Sequence, residues 1–309
     1  MELLLQNHSS YPGGAASGAR AGESLRAEID AVIHEQEDAG MDIVTDGQRG
    51  WADSIAPLLH GLDGVRAGAS GAGFGSAGTV RRPVITGEIR RRAPLLLERF
   101  TLAQTAARRR VKPVLPGPYT LARLAVIESG PYVDLGMVAH AFSAVLVAEV
   151  QDLVRAGATI IHIEEPAILS FPGDIRLLRR LLEPLWEARG AAELLVATHG
   201  SDASALYAEL NSLPADIVAF DLCRGAALGD VIEATGASKV LALGLVDGCA
   251  PALEDPHRLA EVIRRALRRY ELETLHVLPS CGLAALPRLQ ARAKLQRLTE
   301  ARALIHPGA

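Results

Sequence analysis

The chain is sparing with cysteine. It has 309 residues and three cysteines, Cys223, Cys249 and Cys281, odd in number and confined to the last third. That excludes a disulfide framework and leaves metal ligation or catalysis open. A strong charge of either sign is also missing. The net charge is −4 and the isoelectric point near 6.2, so there is no electrostatic case for nucleic acid or an anionic membrane as partner. The arginines are scattered along helical stretches such as "RLLRRLLEPLWEARG" and read as solvated faces. No hydrophobic run reads as a membrane-crossing helix, and "MELLLQNHSSYPGG" lacks the basic start and cleavage site of a leader. These absences together imply a soluble, cytoplasmic protein.

What the chain does contain is alternation. Short apolar runs rich in Val, Ile and Leu recur at 2–6, 42–46, 112–116, 159–165, 194–199, 216–223, 239–247 and 274–281. Between them lie helix-period segments; Leu25, Ile29, Val32 and Ile33 share one face, and the stretch from Asp134 to Ala156 is long and apolar. Strands this continuously hydrophobic belong to a parallel sheet buried on both faces. Eight of them, each followed by a helix, predict an α/β fold: one closed (β/α)₈ TIM barrel spanning 1–309, with an open doubly wound sheet as the alternative. One segment breaks the rhythm. "GASGAGFGSAGTVRRPVITGEI" predicts a flexible glycine-rich loop over 66–80, followed by a strand-like piece. Its "GAGFGSAG" does not join a strand to a helix, so it is a poor nucleotide fingerprint.

In such a barrel the chemistry sits at the C-terminal ends of the strands. Several of these ends are polar here: "TDGQRGW", "EEP", "THGSD", "DLCRG", "VDGCAP" and "PSCGL". All three cysteines and His199 fall at the ends of strands five to eight. A lone cysteine is usually a small buried hydrophobe, and His162, alternating with Ile160 and Glu164, reads as a hydrogen-bonded interior residue. Four soft or borderline ligands at equivalent strand ends instead favour Zn²⁺.

The pieces "SSYP", "DGQRGW", "RRPVITGEI", "GPYTLA", "IIHIEEPAI", "THGSD", "DIVAFDLCRG", "GLVDGCAP" and "PSCGL" occur in the order and spacing of a known family. The chain resembles the C-terminal catalytic barrel of cobalamin-independent methionine synthase along almost its full length, in a stand-alone core form. That resemblance implies zinc held by a histidine and cysteine in an H-x-C motif, a glutamate on the next strand and a later cysteine. The zinc binds homocysteine as thiolate, which takes the methyl group of methyltetrahydrofolate. Carried over, His199 and Cys281 match two of the metal ligands, and Asp221 stands at the glutamate position. Ser201 stands at the H-x-C cysteine. In the amino-acid pocket Ser10 and Glu164 match in kind, while Gln48 replaces an acidic residue. Asp247 matches its catalytic counterpart, and Cys249 replaces a histidine that serves as proton donor.

The sulfur missing at Ser201 has two candidate replacements. Cys223 shares strand parity with Asp221 and is the preferred one; Cys249 is the second. The expected metal site is therefore His199, Cys223 and Cys281, with Asp221 or Cys249 as the displaceable fourth ligand. Asp247 and Cys249 are the expected catalytic residues. Ser10, Gln48 and Glu164 are expected to bind substrate. The expected activity is zinc-dependent methyl transfer to a homocysteine-like thiol in methionine biosynthesis, from methyltetrahydrofolate or a methylcobamide. Two alternatives remain: a thiol transferase acting on an epoxide-type electrophile, and a degenerate barrel that binds a metabolite.

Overall fold

The computed structural model describes residues 2–13, 21–51, 53–75, 78–225, 227–270 and 273–305. Its centre is a ring of parallel strands. They are β1 (Glu2–Leu5), β2 (Ile43–Val44), β3 (Arg110–Val111 continuing through Val114–Pro116), β4 (Ile160–Glu164), β5 (Glu193–Thr198), β6 (Ile217–Asp221), β7 (Val240–Val246) and β8 (Thr274–Pro279). Consecutive strands pair from β3 round to β8, and β8 pairs with β1 through Glu2 and Thr274. The short β2 completes the ring, bridged to Gln6 beyond β1 at Ile43 and paired with Arg110 and Val111 of β3. The (β/α)₈ architecture expected from the alternation is the architecture found.

The strands are buried on both faces, as their composition requires. Outward residues such as Ile161, Ile163 and Val196 pack under the helices. Inward residues Ile43, Ile160, Leu195, Ile217, Ala219, Ala242 and Leu278 form a small separate cluster inside the barrel. Aliphatic side chains usually fill such an interior throughout. Here Gln6, Lys112, His162 and His276 are also fully or almost fully buried. Lys112 Nζ donates to Gln6 Oε1 and to the Asn7 carbonyl, and Gln6 Nε2 meets His276 Nδ1 at 3.0 Å.

Where a flexible loop is expected over 66–80, most of the described residues belong to strands. Leu62–Ala72 pairs antiparallel with Thr79–Arg91, which in turn pairs with Val126–Ile127. Residues 76 and 77 lie outside the described set. The hairpin's tip reaches the barrel mouth. At Gly75, whose φ is +75°, a Cβ would stand 2.4 Å from His199 Nδ1, so only glycine lets the tip approach this closely.

The expectation that no run is long and apolar enough to cross a membrane is corrected at one helix. Leu135–Arg155 is long and apolar enough to cross a bilayer, with a mean hydropathy of 1.4. In the structure its Phe142, Leu146, Val150 and Leu153 are wholly buried in the core, and its Glu149 is paired with Arg91 at 2.6 Å.

Candidate active site

A cavity of about 360 Å³ opens at the C-terminal ends of the strands. It brings together six of the residues singled out from the sequence: Ser10, Gln48, Glu164, His199, Cys249 and Cys281. Asp221, Cys223 and Asp247 do not line it. Trp51, Phe74, Leu124 and Val80 give it apolar walls.

One side of the cavity is built from nitrogen and oxygen. His199, just beyond β5, is nearly buried, and its Nδ1 lies 2.9 Å from the Gly75 carbonyl. A carbonyl can only accept, so Nδ1 carries the proton and Nε2 presents its lone pair. That Nε2 is buried and has no hydrogen-bond partner among the described residues. The ring of His8 stands edge-on to His199 at 5.1 Å and to His162 at 5.0 Å. His8 Nδ1 also lies 3.3 Å from Glu164 Oε1 and 3.1 Å from Ser9 Oγ. Burial lowers the pKa of His8 to about 4, against the pull of Glu164, so the ring is neutral at pH 7. Glu164 is lowered to about 2: burial pushes it upward, but the hydrogen bond and field of His8 outweigh that. It therefore faces the cavity as a carboxylate. His162 was expected to be a hydrogen-bonded interior residue, and this is corrected. It is fully buried and, among the described residues, neither ring nitrogen makes a well-formed hydrogen bond, the ring having only a marginal contact to the His8 backbone.

The neighbouring Glu165 has a different job. Its carboxylate accepts from Tyr119 N, Thr120 N and Thr120 Oγ1, fixing the first turn of the helix Pro118–Leu124. A Cβ on Gly117 would run into it. The adjacent Glu164 and Glu165 thus point to different places, one into the cavity and the other to the helix Pro118–Leu124.

The other side of the cavity is built from sulfur. β6 and β7 both end in Asp-x-Cys, and each aspartate accepts from the cysteine amide two residues on: Cys223 N to Asp221 Oδ1 and Cys249 N to Asp247 Oδ1, both 2.8 Å. The two thiols then part company. Cys223, the preferred ligand from strand parity, is exposed and turns to the Gly244 carbonyl at 3.7 Å. Cys249 turns inward, its Sγ 3.4 Å from that of Cys281. Gly248 makes this possible, since a Cβ there would stand 2.8 Å from Cys281 Sγ. Contact with Cys249, then burial, raises the Cys281 thiol well above its ordinary pKa. Cys223 lies beyond the end of β6, where a turn and not the pleat sets direction.

Asp221 is almost wholly buried, and its oxygens receive Gly200 N, Cys223 N and Arg224 N. Its role in the structure is to tie the ends of β5 and β6 together. Burial raises its pKa despite those donors. Asp247 faces Arg224 at 3.3 Å, and Ser201 is exposed. Gln48, at φ 52°, presents a buried Nε2 with no partner, and Trp51 Nε1 is likewise unpartnered. Sequence reasoning missed His8 and Lys112. His8 stands next to "SSYP", and Lys112 opens the apolar run of β3, where a charge with no local partner was the available signal.

The model of the family described as cobalamin-independent synthase, catalytic domain, matches residues 6–303. The chain belongs to that family. A 5-methyltetrahydropteroyltriglutamate--homocysteine methyltransferase of Corynebacterium glutamicum is 28% identical over 294 residues, covering 90% of this chain and 38% of that protein. The corresponding Streptomyces griseus enzyme is 30% identical over 302 residues, with 90% and 37% covered. This synthase-family chain thus spans a little over a third of the length of those relatives. Its fold is that of a B12-independent methionine synthase from Shewanella, with a TM-score of 0.84, 20% identity and coverage of 99% and 98%.

Proposed function

We propose that this synthase-family barrel transfers a methyl group to the sulfur of a homocysteine-like thiol, using zinc held on the sulfur side of the cavity. The observation that carries this reading is the Cys249–Cys281 sulfur pair, 3.4 Å apart, lining one cavity with the unpartnered Nε2 of His199. Two sulfurs bound tetrahedrally at about 2.3 Å lie about 3.8 Å apart, so the pair needs to open only slightly. An imidazole and two thiols suit zinc in kind, with Nδ1 of His199 held by Gly75 as metal-bound histidines are commonly held. His199, Cys249 and Cys281 would be the ligands. Zinc there would lower the substrate thiol's pKa while leaving the sulfur nucleophilic.

The protein's own groups do the rest. Glu164, ionised and facing the cavity, takes the substrate ammonium. Gln48 is a donor through Nε2, so it meets an acceptor such as the substrate carboxylate rather than a second face of the ammonium. Trp51 and Phe74 offer aromatic surface to the ring system of a methylated folate. In the transfer the substrate sulfur forms a bond to the methyl carbon as the bond from that carbon to the donor breaks. The departing nitrogen of a folate then needs a proton. Cys249 stands where a proton donor is expected and is engaged with Cys281, which favours donors whose leaving group departs unprotonated, such as a methylcobamide. An epoxide-type electrophile is the second reading: there the sulfur bonds to a ring carbon as its C–O bond breaks, and the alkoxide stays on the product and takes its proton from solvent.

The test is to supply the zinc-loaded protein with homocysteine and, in separate reactions, methyltetrahydrofolate, a methylcobamide or an epoxide, following products by mass spectrometry. Methionine formed from either methyl donor, and lost in Cys281→Ser, supports the proposal. Thiol consumed only with the epoxide selects the second reading, and no consumption with any donor overturns both.

A further inference from the structure

The nitrogen side of the cavity contains a group of side chains that the sulfur-side reading does not use. Among the described residues, His8, His162 and Glu164 are the trio of His, Cys, Asp or Glu whose ligand atoms all lie within 4.8 Å of one another. Two come from β4, where His162 and Glu164 share the inward parity of Ile160; His8 comes from the segment that leaves β1. We infer that these three residues form a binding site for a divalent first-row transition metal, separate from the sulfur pair and open to the same cavity.

Three observations carry this. The first is the cost of the arrangement as it stands. Among the described residues His162 is fully buried with no well-formed hydrogen bond to either ring nitrogen, only a marginal contact to the His8 backbone, and an unsatisfied buried polar group costs about 1–3 kcal/mol. A bound cation would take up one of those lone pairs. The second is spacing. His8 Nδ1 and Glu164 Oε1 are 3.3 Å apart. Two adjacent ligands of an octahedral ion at about 2.1 Å lie about 3.0 Å apart, so the pair already has nearly the separation a metal needs. The third is the donor set. Two imidazoles and one carboxylate, with no sulfur, are the ligands that take Fe²⁺, Mn²⁺, Co²⁺ or Zn²⁺ and leave positions open for a substrate. The open side exists, because Glu164 lines the cavity while His8 and His162 are sealed behind it.

A metal here would change what the cavity recognises. Glu164 would be engaged with the cation, and an α-amino acid would bind by giving its amine or carboxylate to the metal. The assignment of Glu164 to the substrate ammonium rests on the methyl-transfer reading; the metal site itself does not, and its test needs no turnover.

The experiment is a Co²⁺ titration of the metal-free Cys249→Ser/Cys281→Ser protein, read by ligand-field absorbance and by metal analysis after gel filtration. The expected result is bound Co²⁺ without thiolate-to-cobalt charge transfer, and an affinity that falls more than about 100-fold when His162→Gln is added. The same titration on the otherwise unaltered chain carrying only His162→Gln covers the case in which the combined variant does not fold. There the thiolate-free component should vanish while the charge-transfer component stays. Absence of Co²⁺ from the folded double variant, or an affinity unchanged by His162→Gln in either background, would overturn the inference.

Discussion

β6 and β7 end in the same three-residue pattern, and the structure treats the two ends differently. Asp221 and Asp247 each cap the amide of the cysteine two residues on, at the same 2.8 Å. The backbone device is repeated; the sulfur is not. Leu222 occupies the middle position in β6's turn, and the Cys223 thiol meets the Gly244 carbonyl at 3.7 Å. Gly248 occupies it in β7's turn, and the missing Cβ is the space that Cys281 fills. A cysteine at a strand end therefore does not by itself line the cavity. The residue beside it decides whether its sulfur can meet another.

The comparison is most directly broken by removing a sulfur that the cavity uses. Cys281→Ser and Cys249→Ser should each lower zinc affinity by more than about 100-fold, while Cys223→Ser changes it less than about twofold, as measured by competition with a chromogenic chelator. Cys223→Ser losing as much as Cys249→Ser would return the missing sulfur to β6.

A smaller effect is expected from making the turns alike. Gly248→Ala places a Cβ against Cys281 Sγ and should weaken zinc binding by about 10–100-fold with the thiols themselves intact. Leu222→Gly, the reverse change, should leave metal binding as it was. Both are checked in the same competition assay.

The pH dependence of stability sharpens the contrast between the polar barrel interior and the thiol rim. Burial lowers Lys112 to about 7, from an ordinary lysine value near 10.5. Between those values the unfolded chain holds a proton that the folded one has released, so stability rises with pH from about 7 to 10.5, at up to about 1.4 kcal/mol per pH unit. His276, lowered to about 3 by burial and then by Lys112, acts in the acid range. The unfolded chain protonates it first, so stability falls as pH drops below about 6.5. Lys112→Met should flatten the alkaline slope in denaturant melts. Burial raises the Cys223 thiol to about 12, so above pH 9 the folded chain keeps a proton the unfolded one loses, and Cys223→Ser should steepen the rise there while leaving the acid slope unchanged.

The barrel was legible in the sequence because eight Val/Ile/Leu runs at regular spacing have few other uses. The pocket side chains His199, Cys249 and Cys281 were legible from their positions beyond strand ends, and Ser10, Gln48 and Glu164 from the resemblance to the family's amino-acid pocket. Direction beyond the last paired residue was not. Alternation holds along a strand, and Cys223 lies past Asp221, where the chain has already turned. Nor could local reading find His8 with His162, because their meeting depends on the closed ring bringing the end of β1 towards β4 across β2 and β3. The hairpin that sets Gly75 on His199 is a contact across 124 residues, and a glycine-rich segment carries no sign of its destination.

The measurement that bears most directly on the central claim is X-ray absorption at the zinc edge of the zinc-loaded protein, compared among the unaltered chain, Cys249→Ser and Cys223→Ser. The account predicts that zinc is bound by the sulfurs of Cys249 and Cys281, that Cys249→Ser removes one sulfur from the metal, and that Cys223→Ser removes none. Zinc that loses a sulfur in Cys223→Ser, or shows no sulfur ligand in the unaltered chain, would contradict it.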